Sequence, residues 1–247
     1  MQTNDAERLF SGQIGSEYEM LKLICPAAAE MSRKVGEFVA GWQPAYPVRP
    51  PLSVFEIGCG TGMTTLALLH ARADISLVAV DNEPAMLEQA RRNLAPWLEG
   101  GRLSLIETDA LSGLRDLSAG SIDLIASGYA MHNFLEGYSR QVLCEIFRVL
   151  KAGGVFVNGD RYALDDTQAH TRLIQEEVRQ YFRTFAAMGR YDLLEPWIVH
   201  LFSDESPDHI MRLGSSLAFM SEIGFEEVTV RFRDGVNALL VARKAAQ

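Results

Sequence analysis

The sequence predicts an α/β protein built on a doubly wound, mainly parallel sheet with helices on both faces. Three observations predict it. From Leu52 onward, short apolar segments alternate with amphipathic ones. The apolar segments contain few polar residues, as is typical of strands that are buried on both faces. The last two, at 226–232 and 238–243, flank Asp234-Gly235, which predicts a hairpin and therefore one antiparallel strand.

The individual elements follow from the spacing of apolar residues and from the turn residues between them. Pro26 punctuates two short predicted helices over 17–41, and four prolines within 44–51 predict a linker. Strands are expected at 53–57, 76–80, 103–106, 122–127 and 154–158, and helices at about 63–70, 84–94, 139–150 and 215–223. We therefore predict an N-terminal helical cap over 1–45 and a main domain over 52–247, with a helical insert at about 161–215.

The composition limits the possible classes of function. The chain has 247 residues, of which 48% are hydrophobic and 22% charged, enough apolar surface for a core. A net charge of −9 without a basic run counts against a nucleic-acid partner. No apolar run approaches the length of a membrane span and no leader pattern is present, so we expect a cytoplasmic protein without membrane contact. The three cysteines, Cys25, Cys59 and Cys144, show no metal or disulfide spacing, and we expect no metal.

A glycine-rich segment, Val54-Phe-Glu-Ile-Gly-Cys-Gly-Thr-Gly62, joins the first predicted strand to the next helix. Its glycines allow a tight turn and let the backbone approach a ligand without an intervening Cβ. A dinucleotide fingerprint would need a further glycine at 63, where the chain has Met63, so a pyrophosphate site is disfavoured. Cys59 fills a position that needs only a small side chain, and we assign it no thiol chemistry.

Acidic residues end the next two strands. Asp81 follows an apolar strand, and a single carboxylate at this place can accept hydrogen bonds from both hydroxyls of a ribose. Asp109 ends the third strand, where it or Ala110 could receive the amino group of an adenine, although Asp109 could equally cap a helix. We therefore expect a nucleoside at this edge of the sheet.

These motifs, followed by Ser121-Ile-Asp-Leu-Ile125 and Val149-Leu-Lys-Ala-Gly-Gly-Val155, resemble in order and spacing the motif series of class I S-adenosylmethionine-dependent methyltransferases. The resemblance covers roughly residues 52–160 and the terminal hairpin. It implies a Rossmann-like seven-stranded sheet in the order 3-2-1-4-5-7-6, with strand 7 antiparallel, and S-adenosylmethionine as cofactor. The cofactor contacts that we expect are Tyr18, Glu56, Gly58, Cys59, Gly60, Asp81, Asn82, Met86, Asp109, Ala110 and Ser127.

The resemblance also implies roles for some of these residues. Gly58 and Gly60 would lie against the methionine moiety, with Glu56 orienting its amino group. Asp81 would hold the ribose, and Met86 would flank the adenine, although a methionine on an amphipathic helix is as readily a core residue. Tyr18 resembles an aromatic residue that some members fold over the cofactor, and we expect residues 1–45 and the insert to roof the pocket.

The segment after strand 4, Ser127-Gly-Tyr-Ala-Met-His-Asn-Phe134, is where the methyl group should meet its acceptor. Methyl transfer is an in-line displacement in which positioning supplies most of the rate, while an oxygen or amine acceptor also loses a proton. His132 is therefore a candidate catalytic base, with a bond to a backbone carbonyl as the alternative. The remaining histidines have no motif and are expected at the surface or in the core.

Substrate contacts are expected on either side of this base. They are Tyr129, Asn133, Asp160, Arg161 and Tyr162. Asp160 could instead cap the next helix. We expect transfer to a small-molecule acceptor, with oxygen, nitrogen and carbon acceptors not distinguished and the oligomeric state open, a homodimer included.

Three alternative functions are open. The segment Asp81-Asn-Glu-Pro-Ala-Met86 and the aromatic insert also resemble carboxy-S-adenosylmethionine synthase, which remodels the cofactor for tRNA modification. That family has serine where this chain has Gly60, and Arg190 is the nearest candidate for its carboxylate-binding arginine. The other two alternatives are a cofactor-binding protein without catalysis and a nicotinamide-dependent dehydrogenase.

Overall fold

The structure, a computed structural model, describes residues 26–46 and 51–246 and has a seven-stranded sheet at its centre. Its strands are β1 (Leu52–Ile57), β2 (Ile75–Asp81), β3 (Leu103–Glu107), β4 (Ile122–Gly128), β5 (Leu150–Arg161), β6 (Phe225–Asp234) and β7 (Asn237–Lys244). They lie in the order β3-β2-β1-β4-β5-β7-β6. Only β7 is antiparallel to its neighbours, β5 and β6, while the other pairs are parallel. The predicted fold class and strand order are confirmed.

Helices cover both faces of this sheet. They are α1 (Pro26–Gly41), α2 (Met63–Ala71), α3 (Pro84–Asn93), α4 (Ala95–Glu99), α5 (Ala110–Arg115), α6 (Glu136–Val149), α7 (Thr167–Met188), α8 (Tyr191–Asp204) and α9 (Leu213–Glu222). A 3₁₀ turn spans Met131–Asn133. Pro26 and Pro84 each occupy the first position of a helix, where the missing N–H costs nothing.

Two hydrophobic cores flank the sheet because successive strand residues point to opposite faces. Phe55 and Ile125 belong to the core beneath α5, α6 and α9. Val54 and Leu124, their chain neighbours, belong to the core beneath α1, α2 and α3. All four are buried, each stabilising the fold by about 1.5–3 kcal/mol, which explains why the strands are almost wholly apolar.

The first described helix, α1, is part of the second core. Its Val35 and Val39 are buried there against the sheet. A Cβ on Gly36 would lie 2.9 Å from the Cβ of Ala67, so the glycine lets α1 approach α2 closely. The rest of the predicted cap, residues 1–25 with Tyr18, lies outside the described residues.

The segment predicted as an insert contains two helices, α7 and α8, which follow the carboxyl end of β5. They enclose a small core of their own, which includes Ala28 of α1. Tyr181 and Phe185 are buried in it, whereas the neighbouring Phe182 is 52% exposed. The insert therefore packs over the sheet edge at which a ligand site is expected. None of the described helices is long and apolar enough to cross a membrane.

Candidate functional site

An open cavity lies at the carboxyl ends of β1, β2 and β4. This is the edge at which parallel α/β sheets bind ligands. Its walls come from α1, the glycine-rich loop, the start of α2, the β2–α3 turn and the segment after β4. The lining residues are Ala28, Ser32, Gly58, Cys59, Gly60, Met63, Thr64, Asp81, Asn82, Glu83, Met86, Gly128, Tyr129, Ala130, Asn133 and Phe134.

The glycine loop needs its glycines for both conformation and space. Gly58, Gly60 and Gly62 have φ of +67°, +52° and +95°, a region that other residues rarely adopt. A Cβ on Gly58 would also lie 2.4 Å from the Cβ of Ala130. Between them, Cys59 is buried, and burial raises the pKa of its thiol, which agrees with a structural rather than a nucleophilic role.

Asp81 ties the glycine loop to the next helix. One of its carboxylate oxygens accepts the amide N–H of Gly60 at 2.7 Å, and the other accepts that of Glu83 at 2.9 Å. Burial is the largest influence on its pKa and raises it, although these two N–H groups oppose the shift. Each carboxylate oxygen can accept a second hydrogen bond, so the pair of ribose hydroxyls that the sequence predicts could still be received.

Asn82 and Met86 line the same wall as Asp81. Met86 is also almost wholly buried, so the two sequence interpretations of this residue, core and cavity wall, both describe its position.

Glu56 lies behind the glycine loop as a fully buried acid. Neither of its carboxylate oxygens makes a hydrogen bond of good geometry to a described residue. Burial raises the pKa of Glu56 to about 8, with Asp81 adding to the effect and Thr65 opposing it. A cationic amino group placed beside this carboxyl would favour its charged form. Glu56 is not among the residues that line the cavity, so its contact with the cofactor stays a prediction.

The cavity carries acidic but no basic side chains. Asp81 and Glu83 lie on its wall, and the described lining contains no lysine or arginine. A cationic ligand would be stabilised by these charges, whereas a pyrophosphate would be repelled.

The end of β4 is a point of close contact and backbone strain. A Cβ on Gly128 would lie 2.1 Å from Oγ1 of Thr64, so only glycine fits. The next residue, Tyr129, has φ +57°, which is unusual for a non-glycine residue and typical of functional sites. Its hydroxyl donates to Oδ1 of Asn237 at 2.6 Å, and its amide donates to the carbonyl of Gly159 at 2.9 Å.

His132 forms a buried pair with Asp160. Its Nδ1 lies 2.5 Å from Oδ1 of Asp160, which also accepts the amides of Met131 at 2.9 Å and Arg161 at 2.8 Å. Burial lowers the pKa of His132, but the charge and hydrogen bond of Asp160, together with the charge of Asp204, outweigh it and leave the pKa raised. The structural alternatives given for these two residues are wrong. His132 contacts a carboxylate rather than a backbone carbonyl, and α7 is capped by Asp166 rather than by Asp160. His132 lies next to Asn133, which lines the cavity, but is itself behind the wall.

Several predicted site residues do not line the described cavity. Asp109 caps α5 by accepting the amide of Ser112 and also accepts the hydroxyl of Tyr138, and Ala110 is buried beside it. Hydrogen bonds hold the pKa of Asp109 low against the effect of burial. Ser127 is buried and donates to the carbonyl of Ile57.

Two predicted substrate residues are likewise held within the protein. Tyr162 is fully buried, and its hydroxyl accepts the side-chain amide of Asn158 at 2.8 Å. Arg161 is buried and pairs with Glu177 at 2.8 and 3.0 Å and with Glu205 at 3.4 Å. Neither belongs to the wall of the cavity.

The sequence predicted that residues 1–45 roof the pocket, but it did not identify the lining residues of α1 and α2. Ser32 of α1 and Thr64 of α2 meet at 2.7 Å between their hydroxyl oxygens, and Ala28 lies one turn before Ser32. The available signal was the spacing of the small residues Ala28, Ser32 and Gly36, which share one face of a helix and allow close approach.

Comparisons with known proteins agree with this geometry. Residues 54–154 match the family described as "Methyltransferase domain". A carboxy-S-adenosyl-L-methionine synthase from Citrobacter koseri is 31% identical over 124 residues, 49% of this chain and 48% of that protein. The corresponding enzyme from Klebsiella pneumoniae is 29% identical over 81% of this chain and 78% of that protein.

Solved structures share the fold. An O-methyltransferase family protein from Burkholderia thailandensis superposes with a TM-score of 0.67 at 17% identity, covering 97% of this chain and 62% of that one. This chain spans about half the length of the Citrobacter koseri synthase that it matches. From the glycine loop, the strand order and these matches we conclude that residues 54–154 are similar to methyltransferase domains, on a sheet with the strand order expected for class I S-adenosylmethionine-dependent methyltransferases, and that the chain is distantly similar to carboxy-S-adenosylmethionine synthases.

Proposed function

We propose that this protein binds S-adenosylmethionine in the cavity and transfers its methyl group to a small-molecule acceptor. The observation that carries the proposal is the charge of the site. Asp81 and Glu83 lie on a wall without lysine or arginine, and Glu56 lies behind the loop without a good hydrogen-bond partner. A nucleoside with a sulfonium and an ammonium group supplies the positive charge that these acids lack.

Several parts of the cofactor have a matching group in the chain. Gly58 and Gly60 admit the methionine moiety close to the backbone, and Glu56 orients its amino group. Asp81 accepts the ribose hydroxyls while it holds the loop in place, and Met86 offers an apolar wall to the adenine. Asp109, Ala110 and Ser127 stay predictions as cofactor contacts, since each is held by structural contacts outside the cavity wall.

The cofactor, when bound, supplies an electrophilic methyl group on sulfur. The chain's own contribution is position and enclosure. Tyr129, Asn133 and Phe134 line the side of the cavity that follows β4, where an acceptor would be oriented. The helices α1, α7 and α8 pack together around Ala28, which also lines the cavity. Asp160 supports this segment from behind through the Met131 amide and His132, while Arg161 and Tyr162 stay predictions as substrate contacts.

The dehydrogenase alternative fits the site less well. A dinucleotide would bring a pyrophosphate to the glycine loop, where Asp81 and Glu83 would face it without a compensating cation.

A carboxy-S-adenosylmethionine synthase activity is the second candidate because curated relatives carry that name. Such a cofactor has an added carboxylate that needs a cation. Arg190, the arginine expected from sequence, pairs instead with Asp192 at 2.8 Å at the junction of α7 and α8 and is not part of the cavity wall. Mass spectrometry of the nucleoside that copurifies with the protein decides between the two: plain S-adenosylmethionine or its homocysteine product supports methyl transfer, and a carboxylated cofactor supports the synthase.

Methyl transfer is tested directly with S-adenosylmethionine labelled in the methyl group. The purified protein is incubated with the labelled cofactor and a small-molecule fraction of a cell extract, and products are separated by chromatography. We expect label in a new small molecule with the unaltered protein and none with Asp81→Ala. Tight binding of the cofactor without any labelled product would support the binding protein without catalysis.

A further inference from the structure

A second cluster of polar side chains lies beneath the wall of the cavity, where the insert meets the 3₁₀ turn. His132, His200 and Asp204 are all buried, and one ligand atom from each lies within 4.8 Å of the other two. His200 and Asp204 are four residues apart on α8 and so share one face of that helix. Their Nε2 and Oδ2 atoms are 3.7 Å apart.

The histidine of the 3₁₀ turn is oriented by a carboxylate. Asp160 holds Nδ1 of His132 at 2.5 Å, which leaves Nε2 as the nitrogen available to a ligand. Asp160 is itself fixed by two backbone amides, those of Met131 and Arg161. A carboxylate that orients a histidine from behind is the usual support of a metal-binding imidazole.

The surrounding charge is negative. Four buried or half-buried carboxylates, those of Asp160, Glu177, Asp204 and Glu205, lie in the same region as one guanidinium, that of Arg161. The guanidinium is already paired with both glutamates. A divalent cation at the three-residue cluster would offset the remaining negative charge.

We propose that His132, His200 and Asp204 bind one divalent transition-metal ion. Two imidazoles and one carboxylate are a donor set that suits ions such as Zn²⁺, Fe²⁺ and Mn²⁺ better than Mg²⁺ or Ca²⁺. Metal–ligand bonds of about 2.0–2.2 Å require the three side chains to move inward slightly. Three protein ligands leave at least one coordination position for an oxygen of water or of an acceptor.

This assignment differs from the sequence expectation in two ways. The sequence predicted no metal because the histidines lie 68 residues apart and only the fold brings them together. It also gave His132 the role of a base. In a metal-bound protein Nε2 of His132 would be a ligand, so His132 would not act as that base. Metal binding and methyl transfer are separate claims, because the cavity that binds the cofactor does not include these ligands.

The test is metal binding by the full chain, without reference to activity. Protein treated with a chelator and then dialysed is titrated with Co²⁺, followed by its visible absorption, and with Zn²⁺, followed by elemental analysis. We expect one ion per chain. The variants His200→Asn and Asp204→Asn should each lose at least 10-fold in affinity, and Asp160→Asn should lose about 10- to 100-fold through the misplaced imidazole.

The control is His70→Asn, which removes an exposed histidine whose ring packs on Trp97, far along the chain from the cluster. It should bind metal as the unaltered protein does. Circular dichroism and S-adenosylmethionine affinity report whether each variant is folded. The proposal is overturned if the unaltered protein takes up neither Co²⁺ nor Zn²⁺, or if His70→Asn lowers uptake while the His200 and Asp204 variants do not.

Discussion

Gly128 is a residue of the site at which a side chain has no room. A side chain here would point at the hydroxyl of Thr64, 2.1 Å away. We predict that Gly128→Ala destabilises the protein by about 1–3 kcal/mol, since a methyl group must displace α2 or β4. Chemical denaturation followed by circular dichroism measures the loss.

The matched control is Gly137→Ala. Gly137 lies in α6 with open space where its Cβ would stand, so alanine should be neutral or should stabilise the helix by about 0.5–1 kcal/mol. Equal effects of the two substitutions would contradict the close contact between β4 and α2.

Glu56 should make stability depend on pH. Its pKa is raised from 4.5 to about 8 in the folded protein, chiefly by burial. Below pH 4.5 both the folded and unfolded states hold the proton. Between pH 4.5 and 8 the unfolded state ionises while the folded state does not, so stability falls as pH rises, by up to about 5 kcal/mol, and levels off above pH 8.

Replacing the acid by an uncharged amide tests this. Glu56→Gln cannot ionise, so its advantage in unfolding free energy over the unaltered protein should grow from pH 5 to pH 8. Denaturation curves collected at four pH values give the difference. Parallel pH profiles for the two proteins would show that Glu56 is ionised in the fold, contrary to the account.

Residues that end predicted strands could be placed from sequence, and residues that depend on helix packing could not. Asp81 was predicted because apolar β2 stops there and the carboxyl ends of parallel strands share an edge. Ser32 was missed because its helix reaches the cavity only through the packing of α1 on α2. The contact of His132 with Asp160 joins β4 to β5, a neighbour pair that the strand order predicts without giving the side-chain partners.

At the scale of elements, the insert is expected to fold as a partly independent layer. Its small core includes Phe185, which is fully buried between α7 and α8. We predict that Phe185→Ala costs about 3–5 kcal/mol of packing within this layer and speeds amide hydrogen exchange in α7 and α8, while the exchange of β1 and β4 changes little.

Phe182→Ala is the control for this prediction, because Phe182 lies one turn before Phe185 and is 52% exposed. It should change stability by less than about 0.5 kcal/mol and leave exchange unaltered. Faster exchange throughout the sheet in Phe185→Ala would mean that the insert and the sheet unfold as one unit.

Element types were predictable along the sheet, while several boundaries were not. β5 begins at Leu150, four residues before its predicted start, because Lys151-Ala-Gly-Gly continues the extended chain across a register shift against β4. α6 begins at Glu136 rather than Ser139, since no side chain caps its start and the sequence gives no stop signal there. In each case tertiary pairing, rather than local residue preference, sets the end.

At the scale of the whole molecule, topology and charge act together. The strand order places the ends of three neighbouring strands, β2, β1 and β4, around one cavity, and the glycine loop lines that cavity without bulky side chains. Asp81 at the end of β2 and Glu83 in the turn that follows make the cavity negative, in keeping with the net charge of −9. The strand order was predictable because it follows from the ordered motifs. The acceptor was not, because the insert, which we expect to roof the pocket, carries no comparable motif.

The central claim is that the acidic cavity binds S-adenosylmethionine through Asp81, and isothermal titration calorimetry of the cofactor into the purified protein tests it most directly. We predict one site per chain, with an affinity about 100-fold lower in Asp81→Ala, since two hydrogen bonds to a charged group are lost. Asp74→Ala, which removes an acid paired with Arg72 at the opposite end of β2, should bind normally. Absence of cofactor binding by the unaltered protein, or equal affinity in Asp81→Ala, would contradict the claim.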